Sequence, residues 1–243
     1  MVLYRHDLIY PFRTWADART VTGLPRAAAH TLIADDGTEV AYWQAPALGG
    51  KPTILYFKGN AGSLASSGPR LAEFALRGYG ILALNYRGAG GMPGRPDQER
   101  LIADALALYD KAEVLPVVWG TSLGAALAVQ VASRRQAAAV ILETPFASLC
   151  ETAQHHYPLI PACLVLPDNR WDSAALIGRI TAPLLILHGD ADQVVPLTHG
   201  QSLYRRAPAP KKMIVYPGGR HNDLRLHGAG ADILAFLATL TAR

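Results

Sequence analysis

The stretch VVWGTSLGAAL, residues 117–127, decides how the rest of the chain is interpreted. An apolar run rich in β-branched residues meets the pattern Gly-x-Ser-x-Gly and passes directly into a helical pattern that ends near Arg134. This order predicts a strand, a sharp turn and a helix. In a turn of this kind the backbone segments on either side of the serine lie close together, so side chains at positions 120 and 124 would clash and glycine is favoured there. We therefore expect the hydroxyl of Ser122 to project above a sheet as a nucleophile.

The composition favours a globular protein of the α/β class. The chain has 243 residues, of which 50% are hydrophobic and 17% charged, so it is long enough to bury a full core. The net charge of +4 comes mostly from scattered arginines, and no basic stripe is interleaved with aromatics in the way that nucleic-acid-binding surfaces are. We expect one large domain, residues 1–243, with two small domains as the alternative, and no binding of nucleic acid.

The pattern along the chain predicts strands that alternate with helices. A hairpin with its turn at residues 35–38 opens the sheet in antiparallel fashion, and the later alternation implies a mostly parallel, doubly wound sheet. Residues 1–26 are expected to form an irregular arm, and residues 145–179 a small helical insertion that acts as a lid. The predicted strands are 31–34, 40–43, 53–57, 80–85, 117–119, 138–142, 184–187 and 212–216, and the bounded helices are 67–77, 97–111, 123–134 and 231–240.

Two features argue against a cofactor or a metal ion. The glycine-rich run at residues 87–94 lacks the spacing of a dinucleotide-binding loop, and Pro93 has no N–H to offer a phosphate. Cys150 and Cys163 lie in one segment without metal-ligand spacing. We expect them to be buried thiols, with a disulfide as the alternative if the protein is exported.

A serine hydroxyl is a weak nucleophile at neutral pH, so Ser122 needs a base to take its proton and a group to orient that base. In an open α/β sheet such groups come from loops at the carboxyl ends of the strands. Two further strand ends carry candidates, one with Asp190 and Asp192 and the other with His221. The chain order Ser, Asp, His is that of the α/β-hydrolases and differs from the trypsin-like and subtilisin-like orders.

Five motifs, in the same order, give the chain a resemblance to the α/β-hydrolases from about residue 31 onward. Within that superfamily it is most similar to a small-lidded branch with serine aminopeptidases of the S33 type and ABHD-like hydrolases. The resemblance implies an α/β-hydrolase fold. The motifs are Gly59-Asn60-Ala61-Gly62, Asn85-Tyr86-Arg87-Gly88, the Gly-x-Ser-x-Gly of residues 120–124, His188-Gly189-Asp190-Ala191-Asp192-Gln193-Val194-Val195-Pro196 and Gly218-Gly219-Arg220-His221-Asn222-Asp223.

The resemblance also implies roles for the charged residues. Asp192 aligns with the acid that orients the histidine, and His221 with the general base and acid. Asp190 is the alternative acid, although it also fits a turn residue that bonds to backbone. His227 is the alternative base, although it also fits a surface residue at a helix start. We expect the remaining histidines of these segments to be structural or exposed: His155, His156, His188 and His199.

Two backbone N–H groups are the expected oxyanion donors. Leu123 follows the nucleophile and begins a helix, whose dipole favours negative charge. The resemblance gives the second donor as the N–H of Asn60. Related loops usually carry His before Gly59, whereas this chain carries Lys58.

The amino-terminal region gives the expectations for location. No apolar stretch is long enough to span a bilayer, and the N-terminus lacks the apolar core of a signal peptide. Relatives often have a membrane anchor before a segment like Asp7-Leu8-Ile9-Tyr10-Pro11. We therefore expect a cytoplasmic protein, or a membrane-associated or exported one if an anchor has been removed.

Together these features predict a serine hydrolase that cleaves carboxylic ester or thioester bonds of a small-molecule or acylated substrate, without a cofactor or metal. A serine at the turn argues against dehalogenase or epoxide hydrolase chemistry, because relatives with those activities place Asp there. Apolar runs and Trp171 of the insertion could line an acyl pocket or could simply cover the core. A peptidase of the same fold and a non-catalytic binding protein are the alternatives.

Overall fold

A computed structural model of the chain describes residues 9–12, 17–60, 63–159, 161–165, 169–208 and 210–240. Several residues of the segments that the sequence analysis considered lie outside this part: Asp7 and Leu8 of the amino-terminal arm, Ala61 and Gly62 of the Gly-Asn-Ala-Gly loop, and Ile160 and Leu166 in the apolar runs of the insertion. The chain divides into two compact units, Met1–Val117 and Val118–Arg243. The expected organisation as a single domain stays a prediction.

The first unit is built on four strands in the order β1-β2-β4-β3. β1 and β2 form the predicted antiparallel hairpin, β2 is also antiparallel to β4, and β3 is parallel to β4. β3 and β4 are apolar along their length, and their side chains are almost completely buried, as expected for strands covered on both faces. The elements are β1 Ala28–Ile33, β2 Glu39–Ala45, β3 Thr53–Phe57, helix α1 Leu64–Ala75, β4 Gly80–Leu84 and helix α2 Gln98–Tyr109.

The glycine-rich segment after β4 is held by a buried ion pair. Arg87 donates from Nε and Nη2 to both carboxylate oxygens of Asp104 on α2, at 2.8 and 2.6 Å. Its Nη1 donates to Asp36 at 2.6 Å. Because a two-pronged guanidinium–carboxylate contact fixes direction as well as distance, Arg87 has a structural role at the base of this loop.

The second unit carries four more strands in the order β5-β6-β7-β8, and β6, β7 and β8 are parallel. All residues of its first helix, α3, are buried, because they are Ala, Val, Leu, Gly and Gln with little charge. The elements are β5 Val117–Thr121, α3 Leu123–Ala132, β6 Ala139–Glu143, α4 Leu149–His156, α5 Ala162–Val165, β7 Leu184–Gly189, α6 Leu197–Arg206, β8 Lys211–Tyr216 and α7 Ala229–Ala238, with 3-10 turns at Ile177–Arg179 and Leu224–His227.

The expected strands, helices and helical insertion are therefore present, with bounds that differ by a few residues. Within the insertion, Trp171 is completely buried, whereas Leu159 is 97% exposed and Leu164 is 79% exposed. Trp171 thus packs as a core residue, while the two leucines project from the surface. None of the described helices is long and apolar enough to cross a bilayer.

The expectation of two buried thiols was wrong. Cys150 and Cys163 form a disulfide, with their Cα atoms 4.8 Å apart. Cys150 is buried near the start of α4, but Cys163 lies on α5 and is exposed. The two short helices pack against each other and bring together residues 13 positions apart, a turn of the chain that its irregular sequence pattern did not indicate.

Candidate active site

Ser122 lies at the sharp turn between β5 and α3. Its backbone has φ 53° and ψ −117°, a positive φ that a non-glycine residue rarely adopts and that costs energy. Its N–H donates to the carbonyl of Glu143 on β6 at 2.9 Å, and its own carbonyl accepts from Ala125. A Cβ added to Gly120 would come within 2.0 Å of the Gly124 carbonyl oxygen, so the turn requires glycine there, as predicted.

The loops that follow β7 and β8 are tied to each other by their backbones. Asp190 N–H donates to the Tyr216 carbonyl at 3.2 Å, and Ala191 N–H donates to the Gly219 carbonyl at 3.0 Å. Because β7 and β8 are parallel neighbours, their carboxyl ends meet at one edge of the sheet. This pairing places the loop with Asp192 beside the loop with His221.

Three side chains from these loops form one series of hydrogen bonds. His221 Nδ1 is 2.7 Å from Asp192 Oδ2, and His221 Nε2 is 2.9 Å from Ser122 Oγ. An ionised carboxylate can only accept, so Nδ1 carries the hydrogen and donates it to Asp192. The lone pair of Nε2 then faces Ser122, whose hydroxyl donates to it. The structure thus brings together the three residues that the sequence singled out.

The surroundings of Asp192 keep its carboxylate ionised. Burial alone would raise the pKa of Asp192, but the nearby His188 imidazole and hydrogen bonds from His221 and from backbone N–H groups lower it below its usual range. Asp192 Oδ1 accepts from the N–H groups of Val194 and Val195, each at 2.8 Å. An anion in this position would stabilise the imidazolium that forms when His221 takes a proton from Ser122.

The alternative acid and base lie elsewhere. Asp190 Oδ1 accepts from the Gly218 N–H at 2.7 Å, which is the turn-stabilising role considered for it. His227 Nε2 lies 3.7 Å from Asp223 Oδ1 at the partly exposed end of a 3-10 turn. Neither residue enters the series of hydrogen bonds around Ser122.

The other histidines divide between core and surface. His188 is buried and bonds to the Val195 carbonyl, and His199 is buried and accepts from the Ala147 N–H at 3.2 Å. Burial lowers the pKa of His199 below its usual value. His155 and His156 are exposed, although His156 Nε2 contacts the Val194 carbonyl at 2.8 Å. The expectation of structural or exposed histidines is met in the geometry of all four.

The two expected oxyanion donors belong to different units. Leu123 is the first residue of α3, where backbone N–H groups have no partner within the helix. Asn60 lies just beyond β3 in the first unit, and its side-chain amide donates to the Ile9 carbonyl at 3.5 Å. That the N–H of Asn60 acts together with that of Leu123 stays a prediction.

Lys58 stands where related loops usually carry His, and it is 2% exposed. Its ammonium lies 4.5 Å from the centre of the Tyr86 ring and 4.9 Å from that of Phe12. Burial lowers the pKa of Lys58 to about 7, because an ammonium loses its hydration there. The two aromatic faces offset part of that loss.

A cavity of about 460 Å³ lies beside His221 and provides space for a ligand. The residues before and after this histidine supply one wall, and the loop after Asp192 supplies the other. The lining residues are Ala191, Gln193, Val194, Arg220, His221, Asn222 and Asp223.

One buried carboxylate near Ser122 was missed by the sequence analysis. Glu143 ends β6, is 2% exposed, and its Oε2 lies 3.5 Å from Thr121 Oγ1. It is followed by Thr144, whose φ of 47° is again positive. A charged residue at the end of an otherwise apolar strand was the available signal, since such residues rarely occur in a core without a partner.

Comparisons with known proteins identify the relatives of the chain. The family model "Serine aminopeptidase, S33" matches residues 172–225, which include Asp192 and His221. The chain is 36% identical over 212 residues to the uncharacterized protein Rv2307c of Mycobacterium tuberculosis, with 84% of this chain and 75% of the relative covered. It is 32% identical over 219 residues to the human protein ABHD12B, with 77% and 60% covered.

Among solved structures, the Pyrococcus furiosus esterase Pf2001 superposes with a TM-score of 0.72 at 18% identity, with 94% of this chain and 98% of that chain covered. At this identity the likeness shows the fold alone. The expected fold class is confirmed: eight strands, mostly parallel with antiparallel strands at the N-terminus, and flanking helices.

Proposed function

The chain belongs to the α/β-hydrolase superfamily, and on that premise we propose that it is a serine hydrolase that cleaves carboxylic ester or thioester bonds. The observation that carries the proposal is the series of hydrogen bonds from Asp192 through His221 to Ser122, at 2.7 and 2.9 Å. These distances suit proton transfer without rearrangement of the loops. The positive φ of Ser122 supports the same role, since strained backbone is often found at active sites.

Acylation begins when Ser122 Oγ attacks the carbonyl carbon of the substrate. His221 Nε2 takes the hydroxyl proton, and Asp192 stabilises the imidazolium that forms. The carbonyl oxygen becomes an oxyanion, which the Leu123 N–H and the α3 dipole stabilise, with the N–H of Asn60 proposed as second donor. One such donor is typically worth about 3 kcal/mol of the barrier.

The leaving group then takes the proton from His221 as its bond to the carbonyl carbon breaks. This leaves an acyl ester on Ser122. A water molecule gives its proton to His221 and attacks the acyl carbon, and the imidazolium returns that proton to Ser122 Oγ as the acid product departs. Each step balances with water as the single co-reactant, so the proposed reaction uses no metal and no cofactor.

The cavity beside His221 supports a substrate site at this position. His221 is one of its lining residues, and a volume of about 460 Å³ lies in the range of small-molecule sites; Ser122 does not line it, so it would hold a part of the substrate away from the attacked carbonyl. Leu159 and Leu164 of the insertion expose apolar surface of the kind that suits an acyl chain, which is why acylated substrates are included in the proposal.

A panel of substrates tests the reaction class. We expect the protein to hydrolyse p-nitrophenyl esters or acyl thioesters, with the preferred chain length defining the acyl site, and Ser122→Ala to abolish turnover. The family description makes aminoacyl p-nitroanilides the necessary comparison. If the anilides are cleaved faster than any ester or thioester, the protein is a peptidase instead, and if nothing is cleaved and Ser122 does not react, it is a binding protein.

A further inference from the structure

Asp192 faces two imidazoles, although the proposed reaction uses one. Its Oδ2 lies 2.7 Å from Nδ1 of His221 and 3.5 Å from Nε2 of His188. Both the carboxylate and the His188 side chain are completely buried. At 3.5 Å the second contact is an electrostatic approach of an N–H dipole to an anion, longer than a good hydrogen bond. His188 therefore has a place beside the acid that the mechanism above leaves unexplained.

The tautomer of His188 follows from its other contact. Its Nε2 is 2.9 Å from the carbonyl oxygen of Val195. A carbonyl can only accept, so Nε2 carries the hydrogen and donates it to Val195, while Asp192 Oδ2 lies 3.5 Å from the same nitrogen. Val195 in turn donates its N–H to Asp192 Oδ1 at 2.8 Å. His188 thus bonds to the backbone of Val195, whose N–H bonds to one oxygen of Asp192, and its Nε2 lies 3.5 Å from the other oxygen.

The opposite side of the ring packs against a helix. Nδ1 is buried and has no hydrogen-bond partner among the residues that the structure describes. It lies against α6, where a Cβ on Gly200 would come within 2.5 Å of it. The contact between Nε2 and the Val195 carbonyl is therefore the hydrogen bond that orients the ring.

We propose that His188 is a positioning residue for the Ser122 reaction, which keeps Asp192 Oδ2 aimed at His221. The inference rests on the proposed function, because it assigns His188 a role in that same site. His188 does not touch the substrate or the reacting atoms. It acts through Val195 and Asp192, so its removal is expected to lower kcat and leave KM nearly unchanged.

Three variants separate positioning from packing. His188→Leu keeps the approximate volume and removes the donor, and His188→Gln restores an N–H near the place of Nε2. His199→Leu is the matched control, because it removes a neighbouring buried imidazole that bonds to Ala147. We expect His188→Leu to lower kcat on the order of 10- to 100-fold, His188→Gln to recover most of it, and His199→Leu to lower Tm without this loss.

Proton NMR reports on the hydrogen bond between Asp192 and His221 without any substrate. The hydrogen in the short contact between His221 and Asp192 is expected to give a far-downfield proton resonance. It should persist in wild type, His188→Gln and His199→Leu, and shift upfield or vanish in His188→Leu. Nitrogen chemical shifts of wild type should show His188 with a hydrogen on Nε2, a result that does not depend on whether His188→Leu folds.

The inference is overturned if His188→Leu keeps both kcat and the downfield resonance, if His188→Gln fails to recover either, or if wild-type His188 carries its hydrogen on Nδ1. Failure of the proposed function looks different. In that case wild type does not react with a fluorophosphonate at Ser122, whatever the state of His188. The imidazoles that face the Asp192 carboxylate are His188 and His221, and His199 is a further buried imidazole in this unit, so the same spectra should include all three.

Discussion

His221 and Ser122 are 99 positions apart in the chain, yet Nε2 of the first lies 2.9 Å from Oγ of the second. Two parallel strands and one strand-to-helix turn produce this approach. The approach depends on the backbone of the turn after β5, which the local sequence specifies. It also depends on contacts between the loops after β7 and β8, which the sequence specifies less directly. The predictions below test both parts.

Replacement of Asp192 by Asn tests the orienting acid. The amide keeps the shape but is neutral and can donate, so His221 would favour the tautomer with its hydrogen on Nε2, which cannot accept from Ser122. We expect kcat to fall by about 10⁴-fold. Asp190→Asn is the matched control two positions away, and its activity should stay close to wild type because its carboxylate serves the Gly218 N–H. Equal losses in the two variants would contradict the assignment.

Replacement of the two candidate histidines tests the base. His221→Ala removes the group that accepts the Ser122 proton, and we expect ester turnover to fall to the background of the assay. His227→Ala removes a contact with Asp223 at 3.7 Å on a partly exposed turn, where substitutions usually change stability by about 0.5 kcal/mol or less. Initial rates with a p-nitrophenyl ester decide between them. Retained turnover in His221→Ala together with lost turnover in His227→Ala would reverse the assignment.

Lys58 makes a stability prediction with a defined pH window. Burial lowers its pKa to about 7, whereas an exposed lysine titrates near pH ~10.4. Between these values the unfolded chain binds more protons than the folded chain, so the free energy of unfolding rises with pH. Below the window the buried charge destabilises the fold in full.

Lys58→Met should therefore be more stable than wild type near neutral pH, by on the order of a few kcal/mol. The difference should shrink as the pH approaches about 10. Urea unfolding at several pH values measures this. Lys51→Met is a control with the same change in charge at a half-buried lysine over a tyrosine ring, and should give no comparable gain. A Lys58→Met variant that is less stable than wild type at every pH would disprove the burial argument.

The disulfide of the insertion should stabilise the second unit measurably. The cross-link closes a loop of 13 positions between α4 and α5, for which the chain-entropy model gives about 3 kcal/mol. Cys163 is exposed, so a reductant can reach the bond. We expect a reductant to lower the Tm of wild type and to leave the Tm of the Cys150→Ser/Cys163→Ser double variant unchanged. A wild-type Tm insensitive to reductant, with free thiols titrated in the folded protein, would show that the pair does not form.

The turn at Ser122 could be predicted because its signals are local. Strand, glycines and helix follow one another within residues 117–127, and the crowding at Gly120 is a contact with the next turn of the same chain. The alternation of strands and helices was predictable for the same reason, since each element has its own hydrophobic period. The observed ends of the helices and strands differ from the predicted ends by a few residues, because capping and packing decide where the last turn of each helix stops.

The choice between Asp190 and Asp192 could not come from periodicity. The two carboxylates are two positions apart in one loop, and the backbone directs one toward the Gly218 N–H and the other toward His221. The role of His188 was hidden for a related reason, because its acceptor is a main-chain carbonyl that any residue could supply. The pairing of Cys150 with Cys163 depends on how α4 and α5 meet, in a segment without clear periodicity.

Labelling with a fluorophosphonate is the most direct test of the central claim that Ser122 is an activated nucleophile. Intact-protein and peptide mass spectrometry should find one equivalent of adduct on Ser122 in wild type, none in Ser122→Ala, and slow labelling in His221→Ala. A wild-type protein that stays unmodified under conditions that label a known serine hydrolase, or an adduct that persists in Ser122→Ala, would contradict the account.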